Sequence, residues 1–202
     1  HGLLAAYAAI DRPALRQYRL ERIRQQLRKQ DYAGVLLADP INIRYATDTN
    51  NLGLWVMHSP SRYVFVATDG PVVLFEFDSS RHNSEHIETI DEIRPAIPWL
   101  YFLAGPRVEE KAERWALEVA DLLTRHGAGN RRLAVDRCDP WGAEKLKARG
   151  IQLFDAQPLM EQARLIKSVQ EIASHRVSMD VCDLAIARMR ASLVPGITEN
   201  QL

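Results

Sequence analysis

One stretch of the chain reads as a metal-binding pattern: His82-Asn83-Ser84-Glu85-His86. It matches H-x-x-E-H, the inverted zincin motif, in which two imidazoles at helical spacing hold zinc and the Glu acts as base. The segment is short, follows an apolar hairpin strand and meets Pro95 within a few turns, and no isolated carboxylate downstream offers a third ligand. A solvated polar turn is therefore the expectation, with His82, Glu85 and His86 as the weaker metal alternative. His58 falls close to Trp55 on an expected loop, and His126 at an expected helix C-terminus, where a partly charged imidazole suits the dipole. His175 lies on a long helix near the end. Asp136, Asp139 and Asp155 follow strand-like runs, where carboxylates commonly cap the next turn. The chain has no Gly-rich phosphate loop, no G-x-S-x-G elbow and no Cys/His nucleophile pair.

Bulk properties narrow the classes further. The 202 residues suit one α/β domain plus a trailing element, and 47% hydrophobic with 26% charged residues is an ordinary globular balance. Lys plus Arg equals Asp plus Glu at 26 each, so no global basic field exists to hold nucleic acid. Arg16, Arg19, Arg22, Arg24, Arg28 and Lys29 cluster, but without interleaved aromatic residues, and are expected to be a solvated helix face. Cys138 and Cys182 are too few for a disulfide framework and lack metal-ligand spacing; they fit a reducing compartment. No apolar run approaches a membrane span and no signal peptide is visible, so a cytoplasmic setting is expected. His1 stands where a Met would, and is expected to mark a processing or cloning boundary.

The elements that would position these residues alternate. Asp11-Arg12-Pro13 opens a helix with Pro13 in its first turn, and Ala14 to Lys29 carries Leu15, Tyr18, Leu20, Ile23 and Leu27 on one face. Tyr32 to Ala38 is a short apolar run, the mark of a buried strand, stopped by Asp39-Pro40. Tyr63–Ala67 and Val72–Phe77 flank Thr68-Asp69-Gly70-Pro71, a hairpin whose Pro71 implies a loop longer than two residues. Pro98 to Leu103 is expected to be another strand. Val108 to His126 is an amphipathic helix with Trp115, Leu117, Val119, Leu122 and Leu123 as its apolar side, closed by Gly127 to Asn130. A strand at 132–136, a helix at 140–149 and a strand at 151–155 complete the alternation. The interleaving argues for α/β with a mixed β-sheet flanked by helices.

After Asp155 the character changes. Helices are expected at 158–163 and 169–193, the second carrying Ile172, Met179, Leu184, Ile186, Met189 and Leu193. A single helix cannot bury so much apolar surface alone. Pro195-Gly196 ends it, and Thr198 to Leu202 resembles the opening of another helix, with Thr198 as N-cap and Gln201 at the capping-box position. The chain is accordingly expected to be a piece of a longer protein.

The tail also carries a family resemblance. Ala163-Arg164-Leu165-Ile166-Lys167-Ser168-Val169-Gln170-Glu171-Ile172 resembles the linker of the creatinase/prolidase/Xaa-Pro aminopeptidase group, the pita-bread M24 peptidases. Val194-Pro195-Gly196-Ile197-Thr198-Glu199 resembles that group's Pro-Gly-x-Thr-Glu turn. Tyr32 to Leu36 and Asn42 to Thr47 are similar to its N-terminal domain. Within the group, Asp39 to Asp48 with Leu54-Trp55 and His58-Ser59-Pro60 resembles the dimethylsulfoniopropionate lyase branch.

The resemblance implies an N-terminal creatinase/prolidase-like α/β domain over 1–157. Residues 158–202 would then be the linker and the first helix of a truncated catalytic domain. It further implies a non-catalytic role in dimerisation and in shaping the substrate pocket, with no catalytic residue on this chain. Trp55 and His58 are the pocket candidates; an indole face can hold a sulfonium cation by cation–π attraction, while a buried structural Trp is the competing reading. A divalent Mn, Fe, Co or Zn ion would sit on carboxylates and one His of the missing C-terminal domain, with none bound by this fragment. The implied partners are that domain, which His175 could face, and a second copy in a homodimer, with no nucleic acid and no membrane. The alternatives are a stand-alone binding module and an independent H-x-x-E-H zinc hydrolase.

Overall fold

The computed structural model describes residues 2–50 and 61–202. The chain forms two compact units, one of residues 16–166 and one of residues 1–15 with 167–202.

The larger unit is a sheet with helices on both faces. Helix α2 (Arg12–Gln30) leads to β1 (Gly34–Leu37), α3 (Pro40–Thr47), β2 (Tyr63–Ala67), β3 (Val72–Glu76) and β4 (Glu92–Pro95). Then come α4 (Val108–His126), β5 (Arg132–Val135), α5 (Pro140–Lys147), β6 (Gln152–Asp155) and α6 (Gln157–Leu165). The six described strands run β4-β3-β2-β1-β5-β6. β1–β2 and β2–β3 pair antiparallel, whereas β1–β5, β5–β6 and β3–β4 pair parallel, so the sheet is mixed as expected. Two-sided burial explains why the central strands read as continuous apolar runs rather than alternating ones. Side-chain alternation sends Leu36, Tyr63, Phe65, Val73 and Phe75 to the face covered by α4 and α5. Val35, Leu37, Val64, Val66, Val72 and Leu74 go to the face covered by α2, α3 and α6.

The hairpin turn is longer than two residues, in line with Pro71: Val66 pairs with Val72, and the Ala67 N–H donates to the Pro71 carbonyl at 3.0 Å. Gly34 sits where an added Cβ would come within 2.7 Å of the Val66 carbonyl oxygen, so β1 and β2 approach closely only because this residue lacks one.

Three expectations are corrected. Pro98 to Leu103 is not a strand; residues 101–104 make a single helical turn, with Tyr101 and Phe102 exposed. β3's open edge is already filled by β4, a polar strand (Glu92-Ile93-Arg94-Pro95) whose composition hides it. Leu117 points to solvent at 53% exposure; the buried side of α4 is Ala112, Trp115, Ala116, Val119, Leu122 and Leu123. The arginine-rich face of α2 is not merely solvated, since several of its guanidinium groups bond to carbonyls and carboxylates of distant segments.

The smaller unit contains α1 (Gly2–Ala8), which carries no start signal in the sequence, and α7 (Val169–Ser192). α1 packs on α7, and the Asp11 N–H donates to Gln170 Oε1 at 3.0 Å. Ser168 and Glu171 close a reciprocal capping box at the start of α7. Gly196, at φ +92°, turns the chain after it. Residues 199–201 then form a turn in which Gln201 Oε1 accepts the Thr198 N–H at 2.9 Å, half of the anticipated capping box.

Candidate functional site

Trp55 and His58 lie outside the described residues. What the structure describes is the frame on either side of them.

On the N-terminal side, Asp39 caps α3, its Oδ1 accepting the Ile41 N–H at 2.9 Å and the Asn42 N–H at 3.2 Å. α3 ends at Asp48, whose left-handed backbone (φ +61°) returns its N–H to the Arg44 carbonyl. Arg16 fixes that corner: its Nε meets Asp48 at 3.0 Å and its Nη1 meets Glu88 at 2.6 Å. Thr47 Oγ1 donates to the Ile43 carbonyl at 2.7 Å and lies 3.1 Å from Thr49 Oγ1.

On the C-terminal side, Arg62 opens β2. Its guanidinium pairs with Glu76, directly opposite across the hairpin, and also donates to Thr49 Oγ1. Both charged side chains are only 1% exposed. Glu76 Oε1 also accepts the Phe77 N–H at 3.0 Å. A buried ion pair contributes little net stability but is costly to break, because the surviving charge is stranded. The same guanidinium therefore ties Thr49, just after α3, to Glu76 of β3. Sequence reasoning missed this pair. Its signal was a lone Arg and a lone Glu at mirror positions of two otherwise apolar hairpin strands.

A second polar node closes the carboxyl ends of β1 and β5, the place where open α/β sheets often bind ligands. Here the Asp136 carboxylate fills it, accepting the Ala38 N–H at 2.7 Å, the Asp39 N–H at 3.1 Å and Asn42 Nδ2 at 3.0 Å. Burial pushes the Asp136 carboxyl above the usual carboxylate range, and these three donors oppose that shift. Asp136 thus caps a turn, although the turn after β1 rather than its own. Asp155 does cap locally, accepting the Gln157 N–H at 2.9 Å. Asp139 stands at the N-cap of α5 without a side-chain cap bond.

The remaining candidates scatter. His82 sits in a 3-10 helix over Asp78–Asn83, followed by turn residues through His86, so the two imidazoles are not presented at α-helical spacing. The Glu85 carboxylate is engaged by Arg81 at 2.9 Å. This geometry does not fit a zinc ion, and among the described residues no group of three or more His, Cys, Asp or Glu is arranged to hold a metal. His126 ends α4 and lines an open cavity of about 430 Å³ with Arg28, Tyr32, Asp69 and Asn130, where β1 and β5 begin. His175 is exposed on α7.

The α2 arginines have specific partners. Arg24 donates to the Ala67 and Gly70 carbonyls, Arg28 pairs with Asp69 and Glu21, and Arg19 stacks over Tyr45 at 5.2 Å. Among the described residues no helix is long and apolar enough to cross a membrane.

A family model described as "Creatinase/Prolidase N-terminal domain" matches residues 19–166. Two curated proteins named dimethylsulfoniopropionate lyase DddP are similar. The one from Roseovarius nubinhibens is 36% identical over 92% of this chain and 42% of its own length. The one from Roseobacter denitrificans is 36% identical over 95% of this chain and 44% of its own length. The chain therefore spans less than half the length of the curated relatives it matches. Among solved structures, a prolidase from Thermococcus sibiricus superposes with a TM-score of 0.64 at 19% identity, covering 92% of this chain and 47% of that one. At that identity the likeness concerns the fold.

Proposed function

The chain belongs to the creatinase/prolidase N-terminal domain family, and from that premise we propose that it is the non-catalytic N-terminal part of a metal-dependent Xaa-Pro peptidase-like or creatinase-like enzyme. Its α/β part closes with α6, and the chain beyond Ile166 is the linker and the start of a catalytic domain. One observation carries the proposal. The family match ends at Ile166, and over half the length of each similar lyase lies outside the aligned region. The metal, a divalent Mn, Fe, Co or Zn, would be held by carboxylates and a His of that further domain. It would activate water or polarise the substrate there.

The contribution of this chain is to dimerise and to shape the substrate pocket. Trp55 and His58 are its pocket-facing residues. A second reading concerns the substrate: 36% identity to two dimethylsulfoniopropionate lyases, against 19% to the prolidase, favours sulfonium cleavage over peptide hydrolysis. An indole at position 55 suits a sulfonium cation.

The test is direct. The 202-residue chain, supplied with Mn or Fe, is expected to turn over neither Xaa-Pro dipeptides nor dimethylsulfoniopropionate. Fused to the catalytic half of one of the similar lyases, it is expected to support dimethyl sulfide release, and Trp55→Ala to raise KM more than it lowers kcat. Turnover by the chain alone, abolished by His82→Ala, would sink the proposal and restore the zinc hydrolase.

A further inference from the structure

The C-terminal end of α6 is closed without the usual device. A helix leaves its last four carbonyls without intrahelical partners, and many helices meet that need with a glycine in left-handed conformation. After α6 stands Ile166, an extended residue (φ −96°, ψ 124°), and then Lys167-Ser168 rather than glycine. Side chains from α2 and α3 supply the missing donors. Arg22 Nη2 donates to the Gln162 carbonyl at 2.9 Å and its Nε to the Ala163 carbonyl at 3.2 Å. The Tyr45 hydroxyl donates to the Ala163 carbonyl at 3.0 Å, and the Tyr18 hydroxyl to the Ile166 carbonyl at 2.9 Å. Arg164 Nη1 returns a bond to Asn42 Oδ1 at 2.6 Å.

The arrangement has a logic at each level. Tyr18 and Arg22 are four apart on α2, and Asn42 and Tyr45 three apart on α3, so each pair shares one helical face. Arginine offers two donors in a fixed fork, which a lysine cannot reproduce, and its charge suits the negative end of the α6 dipole. Tyr45 is 7% and Asn42 1% exposed, so the contacts from α3 are shielded from water.

We infer that Tyr18, Arg22 and Tyr45 form a built-in terminator for α6, fixing the point at Ile166 where the chain leaves the α/β unit. They hold the end of α6, and the inference is independent of substrate and metal. α3 carries the consequence further, because the helix that grips α6 through Asn42 and Tyr45 ends at the Thr47–Thr49 pair bound to Arg62. The end of α6 and the Thr47–Thr49 pair bound to Arg62 are therefore both tied to one short helix.

Hydrogen exchange on the whole 202-residue chain tests this. Arg22→Ala is expected to speed exchange of the amides of residues 163–166 about tenfold or more, with those of β2 and β3 unchanged, and Arg22→Lys to recover only part. The Tyr18→Phe, Tyr45→Phe double variant keeps both rings, so it preserves packing. It is expected to give a smaller acceleration confined to the same residues, and it decides the matter if Arg22→Ala fails to fold. Unchanged protection at 163–166 in the double variant, or acceleration spread equally over the sheet, would overturn the terminator.

Discussion

The central strands and α7 both carry large apolar residues, and those residues meet opposite fates. Val35, Leu37, Val64, Val66, Val72 and Leu74 are 0% exposed, whereas Met179, Ile186 and Met189 on α7 are 60%, 62% and 51% exposed. Hydrophobicity therefore does not decide burial here; the availability of a facing element does. The sheet has a helical layer on each side. The apolar residues of α7 are spread around the helix among charged ones rather than drawn into one stripe.

The sharpest way to break this comparison is to damage each region in turn. Arg62→Ala removes the buried guanidinium that pairs with Glu76 across the hairpin and is expected to cost about 3–5 kcal/mol. That is a large share of the stability of an ordinary domain. Met179→Ala, by contrast, is expected to stay within about 0.5 kcal/mol, the range for exposed positions. Urea denaturation of the two variants reads both. Equal losses would mean that α7 is packed in solution against something that covers it, and the contrast between the regions would fall.

The same contrast shows what was legible in the sequence. Apolar runs and turn chemistry located β1, the hairpin and β5, where burial on both faces leaves few polar residues. Helical spacing located α4, and the Ile151 to Asp155 run located the edge strand β6. These signals failed at β4, where Glu-Ile-Arg-Pro is a polar edge strand, and at Pro98 to Leu103, where aromatic residues imitated a strand at an edge that β4 already occupies. Charge clustering misled in a similar way. The arginines of α2 looked like a solvated row, but most find carbonyls or carboxylates of distant segments, which no local pattern encodes. The site residues were the least legible of all. Trp55 and His58 rested on resemblance, while the buried Arg62–Glu76 pair was visible only once hairpin register placed the two opposite each other.

A milder intervention sharpens the comparison without unfolding anything. Exposed apolar residues distributed along α7 are expected to make the isolated chain self-associate. The combined Met179→Lys, Ile186→Lys, Met189→Lys variant is expected to be monomeric by light scattering at concentrations where the parent chain is not, with an unchanged melting temperature. A parent chain that is strictly monomeric would remove the premise. A variant that melts earlier would show that these side chains stabilise the folded unit itself.

The smallest effect concerns the two thiols, one in each unit. Cys182 is exposed on α7, whereas Cys138 is partly buried against the α4 face of the sheet. Burial pushes the Cys138 thiol up to about 12, with the nearby Asp139 charge adding to the shift and Lys147 opposing it. In the unfolded chain the same thiol titrates near its ordinary value of about 8.5. Below that value both states keep the proton and stability is indifferent to pH. Between there and about 12 the unfolded chain has released its proton while the folded one holds it, so the folded state loses stability as pH rises. Cys138→Ala is expected to flatten that part of the slope. Since the thiolate is the reactive form, alkylation by iodoacetamide at about pH 8.5 should consume Cys182 first, with Cys138 slower by roughly a hundredfold or more until denaturant is added. Equal rates in the folded chain would place Cys138 at a water-accessible surface and erase the difference between the two regions at this position.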